Sequence, residues 1–146
     1  LVVIDGISKS FVANAFALDN IKATIDPGKI VGIVGPDGSG KTTLIRLIAG
    51  LLKPTSGMIT VAGNETIRDA KKLHQLIGYM PQKFGLYEDL SVIQNLNLYA
   101  DLQGVLGEER YSTFDKLLSF TDLKPFIHRL AGALSGGMKQ KLGLAC

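Results

Sequence analysis

Residues 29–44 read KIVGIVGPDGSGKTTL. A β-branched run over 29–35 leads into glycines, then a lysine, two threonines and an apolar-periodic segment. A continuous run of this kind predicts a strand buried on both faces. Gly35, Pro36, Asp37, Gly38, Ser39, Gly40, Lys41 and Thr42 fit the pattern G-x-x-x-x-G-K-[ST]. The pattern also has its required setting, a strand before it and a helix after it.

Each residue type in the loop has a task. The glycines let the backbone curl until its N–H groups converge on an anion. The helix beginning near Lys41 adds the positive end of its dipole, roughly half a charge. Lys41 is suited to the β- and γ-phosphates of a nucleotide, and the Thr42 hydroxyl to Mg²⁺. Asp37 is the discordant residue. Pro36, Asp37 and Gly38 form a turn tripeptide, in which the carboxylate is expected to bond nearby backbone and face away from the ligand. At about 8 Å and an effective dielectric near 40, its repulsion of one phosphate charge is only ~1 kcal/mol.

Outward from the loop, the pattern alternates between strands and helices. Residues 1–4 and 16–25 read as strands, and 26–28 (Asp-Pro-Gly) as a turn. KTTLIRLIAGLL (41–52) has helical spacing and is stopped by the Lys-Pro-Thr-Ser-Gly run at 53–57. A strand is expected over 58–63, a short helix over 67–76, and a strand running into a loop over 77–82. Beyond that the chain turns helical. Segments 91–105 and 108–120 are amphipathic, with Ser91 and Glu108 as starts, and a third helix begins near Ser135.

Composition narrows the class. The chain has 146 residues, 46% hydrophobic and 20% charged, as expected of a globular domain with a real core. Its 16 Lys+Arg against 13 Asp+Glu give +3, too mild and too scattered for a nucleic-acid face. The single cysteine, Cys146, excludes an internal disulfide and zinc-ligand spacing. The most apolar segment, 44–52, is interrupted by Arg46 and is too short to span a bilayer. No signal-peptide pattern opens the chain. The start at Leu1 inside a strand-like run and the stop at Cys146 inside a helix read as the ends of a fragment.

A second glycine motif, LSGGMKQ (134–140), decides among phosphate-loop classes. Ser135 is a good N-cap, and Gly136 and Gly137 expose amides at a helix start, a second place for anionic oxygens. A plain P-loop kinase or GTPase leaves this motif unexplained. GPDGSGKTT, YMPQ (79–82) and LSGGMKQ, at these spacings, resemble the nucleotide-binding domain of ABC transporters. The stretch 78–105 is similar to ATP-binding subunits of bacterial drug exporters, and more narrowly to the first half of tandem-domain subunits.

The resemblance implies an α/β P-loop NTPase fold of the ABC type, incomplete at its C-terminal side. An αβ core (1–85) would carry the phosphate loop and Gln82, followed by a helical subdomain (86–134) and the signature helix (135–146). It implies a Walker A loop of Gly35, Pro36, Asp37, Gly38, Ser39, Gly40, Lys41, Thr42 and Thr43. It implies a Q-loop Gln82 touching Mg²⁺ or the attacking water, and a signature of Ser135, Gly136 and Gly137. Lys41, Gln82 and Ser135 would take catalytic roles, and Thr42 and Gln82 would hold the metal. Phe11 sits where an aromatic stacks on adenine, with Phe16 an alternative. The cofactors implied are ATP and Mg²⁺.

The partners implied are a second nucleotide-binding domain, copy or tandem, paired head to tail, and transmembrane permease subunits meeting residues 84–88. Tyr87 and Glu88 are the candidates for that contact, and no nucleic acid is involved. The location implied is cytoplasmic, on the inner face of the cell membrane. Met138 departs from the usual signature glutamine. The Walker B aspartate, catalytic glutamate and switch histidine would lie past Cys146, and neither His74 nor His128 is placed to substitute. The 146 residues alone are therefore expected to be inactive and to expose apolar surface. A non-transport relative acting on ribosome or DNA complexes is the alternative.

Overall fold

The computed structural model describes residues 1–13, 15–82 and 85–146. The chain divides into two compact units, Leu1–Tyr79 and Met80–Cys146.

The first unit is built on a four-stranded antiparallel sheet: β1 (Val2–Val12), β2 (Ala15–Ile25), β3 (Ser56–Val61) and β4 (Asn64–Glu65), in spatial order β2-β1-β3-β4. β1 and β2 each run well beyond the apolar stretches that announce them, because they form one long hairpin. A register irregularity between Ile4 and Ile7, with Gly6 at φ +60°, brings both isoleucines onto one core. That core also takes Leu18, Ile59 and Val61 from the sheet, Leu47 from α1 (Lys41–Ile48) and Leu73 from α2 (Ala70–His74). Burying each such side chain stabilises the fold by roughly 1.5–3 kcal/mol.

Helix α1 stops four residues before the expected end at 52. The amide of Gly50 donates to Leu47 O (3.1 Å), and that of Leu51 to Arg46 O (2.9 Å). This is the double closure in which the residue after the cap turns left-handed. Gly50 has φ +69°, and a Cβ there would lie 2.6 Å from Thr66 O. Helical periodicity runs through Gly50, but the backbone does not.

The run 29–35 is a correction. It is not a strand: its residues join no ladder, Ile30 is 105% exposed and Val34 is 93% exposed. A strand exists only against a neighbour, and among the described residues none presents an edge to this run. Its apolar composition reports a need for burial, and burial is a property of what lies beside it. Residues 77–82 likewise form no strand.

The second unit is helical: α3 (Val92–Gln103), α4 (Gly107–Thr121) and α5 (Gly136–Ala145), with single 3₁₀ turns at Lys124–Phe126 and Ala131–Ala133. Val92, Leu96, Phe114, Leu118, Leu123 and Leu142 form its core. α3 opens with a reciprocal cap. Ser91 Oγ accepts from the Gln94 amide (3.3 Å), and Gln94 Oε1 accepts from the Ser91 amide (2.8 Å). The amides of Val92 and Ile93 donate to Arg129 O (3.0 Å) and Ile127 O (2.9 Å). The start of α3 is therefore closed by its own chain.

Candidate functional site

The start of α1 is built differently. Its N-cap is Gly40, in a left-handed conformation with no side-chain cap, and its first turn holds no acidic residue. The amides of Lys41, Thr42 and Thr43 find no acceptor among the described residues, as the first turn of any helix leaves them. An uncapped helix start in solvent, preceded by a curled loop, is the kind of terminus at which negative charge is favoured.

The loop is held in shape from inside. Lys41 Nζ donates to Gly35 O (2.8 Å), Pro36 O (2.7 Å) and Ser39 Oγ (3.5 Å), and the Ser39 amide donates to Pro36 O (3.3 Å). The ammonium thus lies within the ring of 35–41. Gly40 is required where it stands. At φ +88° a Cβ would meet Ala17 O at 2.5 Å and Leu18 Cδ2 at 2.8 Å, so the glycine lets α1 seat directly on β2. Asp37 and Thr42 are exposed. One detail is corrected: among the described residues the Asp37 carboxylate accepts no hydrogen bond. Its turn is closed by backbone alone.

The aromatics lie at the far end of the β1/β2 hairpin. Phe11 is exposed with the Lys9 ammonium 5.1 Å above its ring, and Phe16 is exposed on the facing strand, partnered with Ser10. Phe16 precedes Ala17, whose carbonyl abuts Gly40. Of the two candidates, Phe16 is thus the one tied through its neighbour to the loop.

The other expected residues belong to the second unit. Gln82 is exposed and lies in irregular backbone. Lys83 and Phe84 lie outside the described residues. Ser135 caps α5, its Oγ accepting from the Met138 amide (3.3 Å). Gly136 and Gly137 are exposed, have ordinary φ, and would carry a Cβ into open space. The fold of this chain asks for glycine at neither position.

Tyr87 and Glu88 are exposed, in a segment that is nonetheless tightly held. Asn95, fully buried, accepts from the Tyr87 amide (3.0 Å) and donates to Tyr87 O (3.0 Å), Leu90 O (3.2 Å) and Ser91 O (3.1 Å). Tyr99 donates its hydroxyl to Gly85 O (2.7 Å), and partial burial raises its pKa above the usual tyrosine value. Sequence reasoning missed both residues. The available signals were a polar residue between apolar Val92 and Leu96 positions and the S-x-x-Q spacing of Ser91 and Gln94. Cys146, partly buried against the helical core, has its thiol pushed up to about 12 by desolvation.

Among the described residues no cluster of three or more His, Cys, Asp or Glu could hold a metal ion. A metal at the loop would rest on the Thr42 hydroxyl together with the ligand's own oxygens. Among the described residues no helix is long and apolar enough to cross a membrane.

Comparison with known proteins matches residues 18–146 to the family model described as ABC transporter. The chain is 58% identical over 147 residues to the probable multidrug ABC transporter ATP-binding protein YbhF of Escherichia coli (strain K12), covering all of this chain and 25% of that protein. It is 34% identical to the daunorubicin resistance ATP-binding protein DrrA3 of Streptomyces coeruleorubidus, covering 99% of this chain and 45% of that one. Among solved structures, the ATP-binding cassette MJ0796, in a dimeric post-hydrolysis state bound to ADP and Pi, superposes with a TM-score of 0.83 at 29% identity. That match covers 99% of this chain and 68% of that chain. The chain thus spans about a quarter of the length of YbhF and less than half that of DrrA3.

Proposed function

The chain belongs to the ABC transporter family, with the P-loop fold of its ATP-binding cassettes, and from that premise we propose that it binds MgATP and, within a longer protein, hydrolyses it to drive export. The observation that carries this is the loop at 35–43: curled backbone, an uncapped helix start, and a lysine ammonium held among the loop carbonyls.

In this reading residues 1–85 form the nucleotide-binding core, 86–134 the helical part and 135–146 the signature helix. The loop amides and the α1 dipole take the β- and γ-phosphates, and Lys41 swings from Gly35 O and Pro36 O onto phosphate oxygen. Phe11 or Phe16 stacks on the adenine. Mg²⁺, when bound, neutralises phosphate charge; Thr42 and Gln82 are the residues that would hold it. Ser135, Gly136 and Gly137 close on the nucleotide of a second nucleotide-binding domain, copy or tandem. Their glycines, unneeded by this fold, suit close approach of a polyanion. Water attacks in line at the γ-phosphorus, and the amides and ammonium stabilise the charge that spreads over its oxygens. The general base lies outside these 146 residues, which by themselves are expected to bind MgATP with negligible turnover.

The names of YbhF and DrrA3 support drug export over a ribosome- or DNA-bound role. Permease subunits are the proposed membrane partners, meeting the loop that contains Tyr87 and Glu88, and the site of action is the cytoplasmic face of the membrane.

Calorimetry of MgATP binding to the full-length protein tests this. Lys41→Ala removes one charge-assisted contact set worth about 1.5–3 kcal/mol and should weaken binding by about 10- to 100-fold. Equal affinity in the variant would refute the assignment.

A further inference from the structure

Glu88 reaches across the helical unit to α5. Its Oε1 accepts from Lys139 Nζ at 2.7 Å, fifty-one positions further along the chain. Its carbonyl also accepts from the Gly132 amide at 2.9 Å. Gly132 permits that approach: a Cβ there would meet Glu88 O at 3.2 Å and Glu88 Cβ at 3.3 Å. One step further, the Ala131 amide donates to Leu90 O at 2.9 Å. Loop 85–90 is thus tied on one side to α3, through Asn95 and Tyr99, and on the other to the turn that launches α5. Lys139 lies one helical turn past Ser135, whose carbonyl accepts the Lys139 amide at 2.8 Å. The residue that grips Glu88 is therefore bonded directly to the N-cap of the helix that carries Gly136 and Gly137.

We propose that Lys139 is a positioning residue that couples the partner-facing loop 85–90 to the anion-facing start of α5. This rests on the reading above of loop and helix, and adds the device that joins them. A partner that shifts the loop pulls on Glu88; Lys139 and the Gly132 amide pass the displacement to Ser135, Gly136 and Gly137. The ion pair is solvent-accessible, with Glu88 exposed and Lys139 half-buried, and contributes little to stability, so its loss should uncouple rather than unfold.

The test is steady-state ATPase of the full-length protein, alone and reconstituted with its membrane subunits in lipid nanodiscs. Lys139→Gln should keep the KM for MgATP within about twofold and lose stimulation by the membrane subunits at least about fivefold. Lys139→Arg, which keeps a cation within reach of Glu88, should retain the stimulation. Wild-type stimulation in Lys139→Gln overturns the proposal. So does loss of stimulation in Lys139→Arg equal to that in Lys139→Gln. A rise in KM beyond twofold with stimulation intact would place Lys139 on the nucleotide and also overturn it. A wild-type protein that neither binds nor turns over MgATP overturns the functional reading itself.

Discussion

Gly137→Ala separates what the fold needs from what a ligand needs. Gly137 stands in the first turn of α5 with ordinary φ, and an added Cβ meets nothing within 4 Å. Alanine lowers the entropy lost on folding and is favoured over glycine inside a helix by about 0.5–1 kcal/mol. The substitution should therefore stabilise the full-length protein, raising its melting temperature by about 1–4 °C. Its effect on nucleotide-driven pairing should have the opposite sign. If phosphate oxygens of a neighbouring molecule approach these amides, a methyl group stands in their path, and turnover should fall at least about tenfold. Differential scanning calorimetry and steady-state ATPase on the same preparation give both numbers. A lower melting temperature would mean that α5 itself required the glycine. Unchanged turnover with raised stability would mean that nothing anionic comes close there.

Three further outcomes follow from packing and burial. Gly40→Ala must place an L-residue at φ +88° with its Cβ 2.5 Å from Ala17 O, and should cost about 2–4 kcal/mol in urea denaturation while loosening the loop. Asn95→Ala removes four hydrogen bonds to the backbone of 87–91 and leaves the Tyr87 amide without its acceptor, while the carbonyls of 87, 90 and 91 keep backbone donors; a loss of about 2–4 kcal/mol, with faster amide exchange across 85–91, is expected. The Cys146 thiol, pushed from the ordinary 9.0 up to about 12, should alkylate with iodoacetamide at pH 8 roughly 10²- to 10³-fold slower in the native chain than in urea. The sign carries over to stability. A folded pKa above the unfolded one leaves that contribution whole below pH 9 and erodes it as pH rises towards 12.

The glycine-spaced loop before α1, the caps of α3 and α5, and the turn to helices in the later part of the chain were legible in residue order. Each depends on neighbours in sequence: glycine spacing, a serine before an apolar period, a change in periodicity from two to 3.6. The misreadings have two causes. Residues 29–35 were expected to pair, but pairing needs an edge strand that a local pattern cannot supply. α1 was run on to 52, because periodicity weighs Gly50 as one residue while the backbone turns on it.

Other features exist only in three dimensions. Glu88 and Lys139 meet, and Ala17 forces glycine at 40, each across a separation that pattern does not see. Residue order by itself determined the curled glycine loop that runs into α1, because such a loop is made from consecutive residues. Folding decided that the start of α3 is sealed by 127–130, while among the described residues no other segment is laid across the start of α1 or, beyond its own Ser135 cap, that of α5. Which helix termini remain free for a ligand depends on what the rest of the chain lays across them.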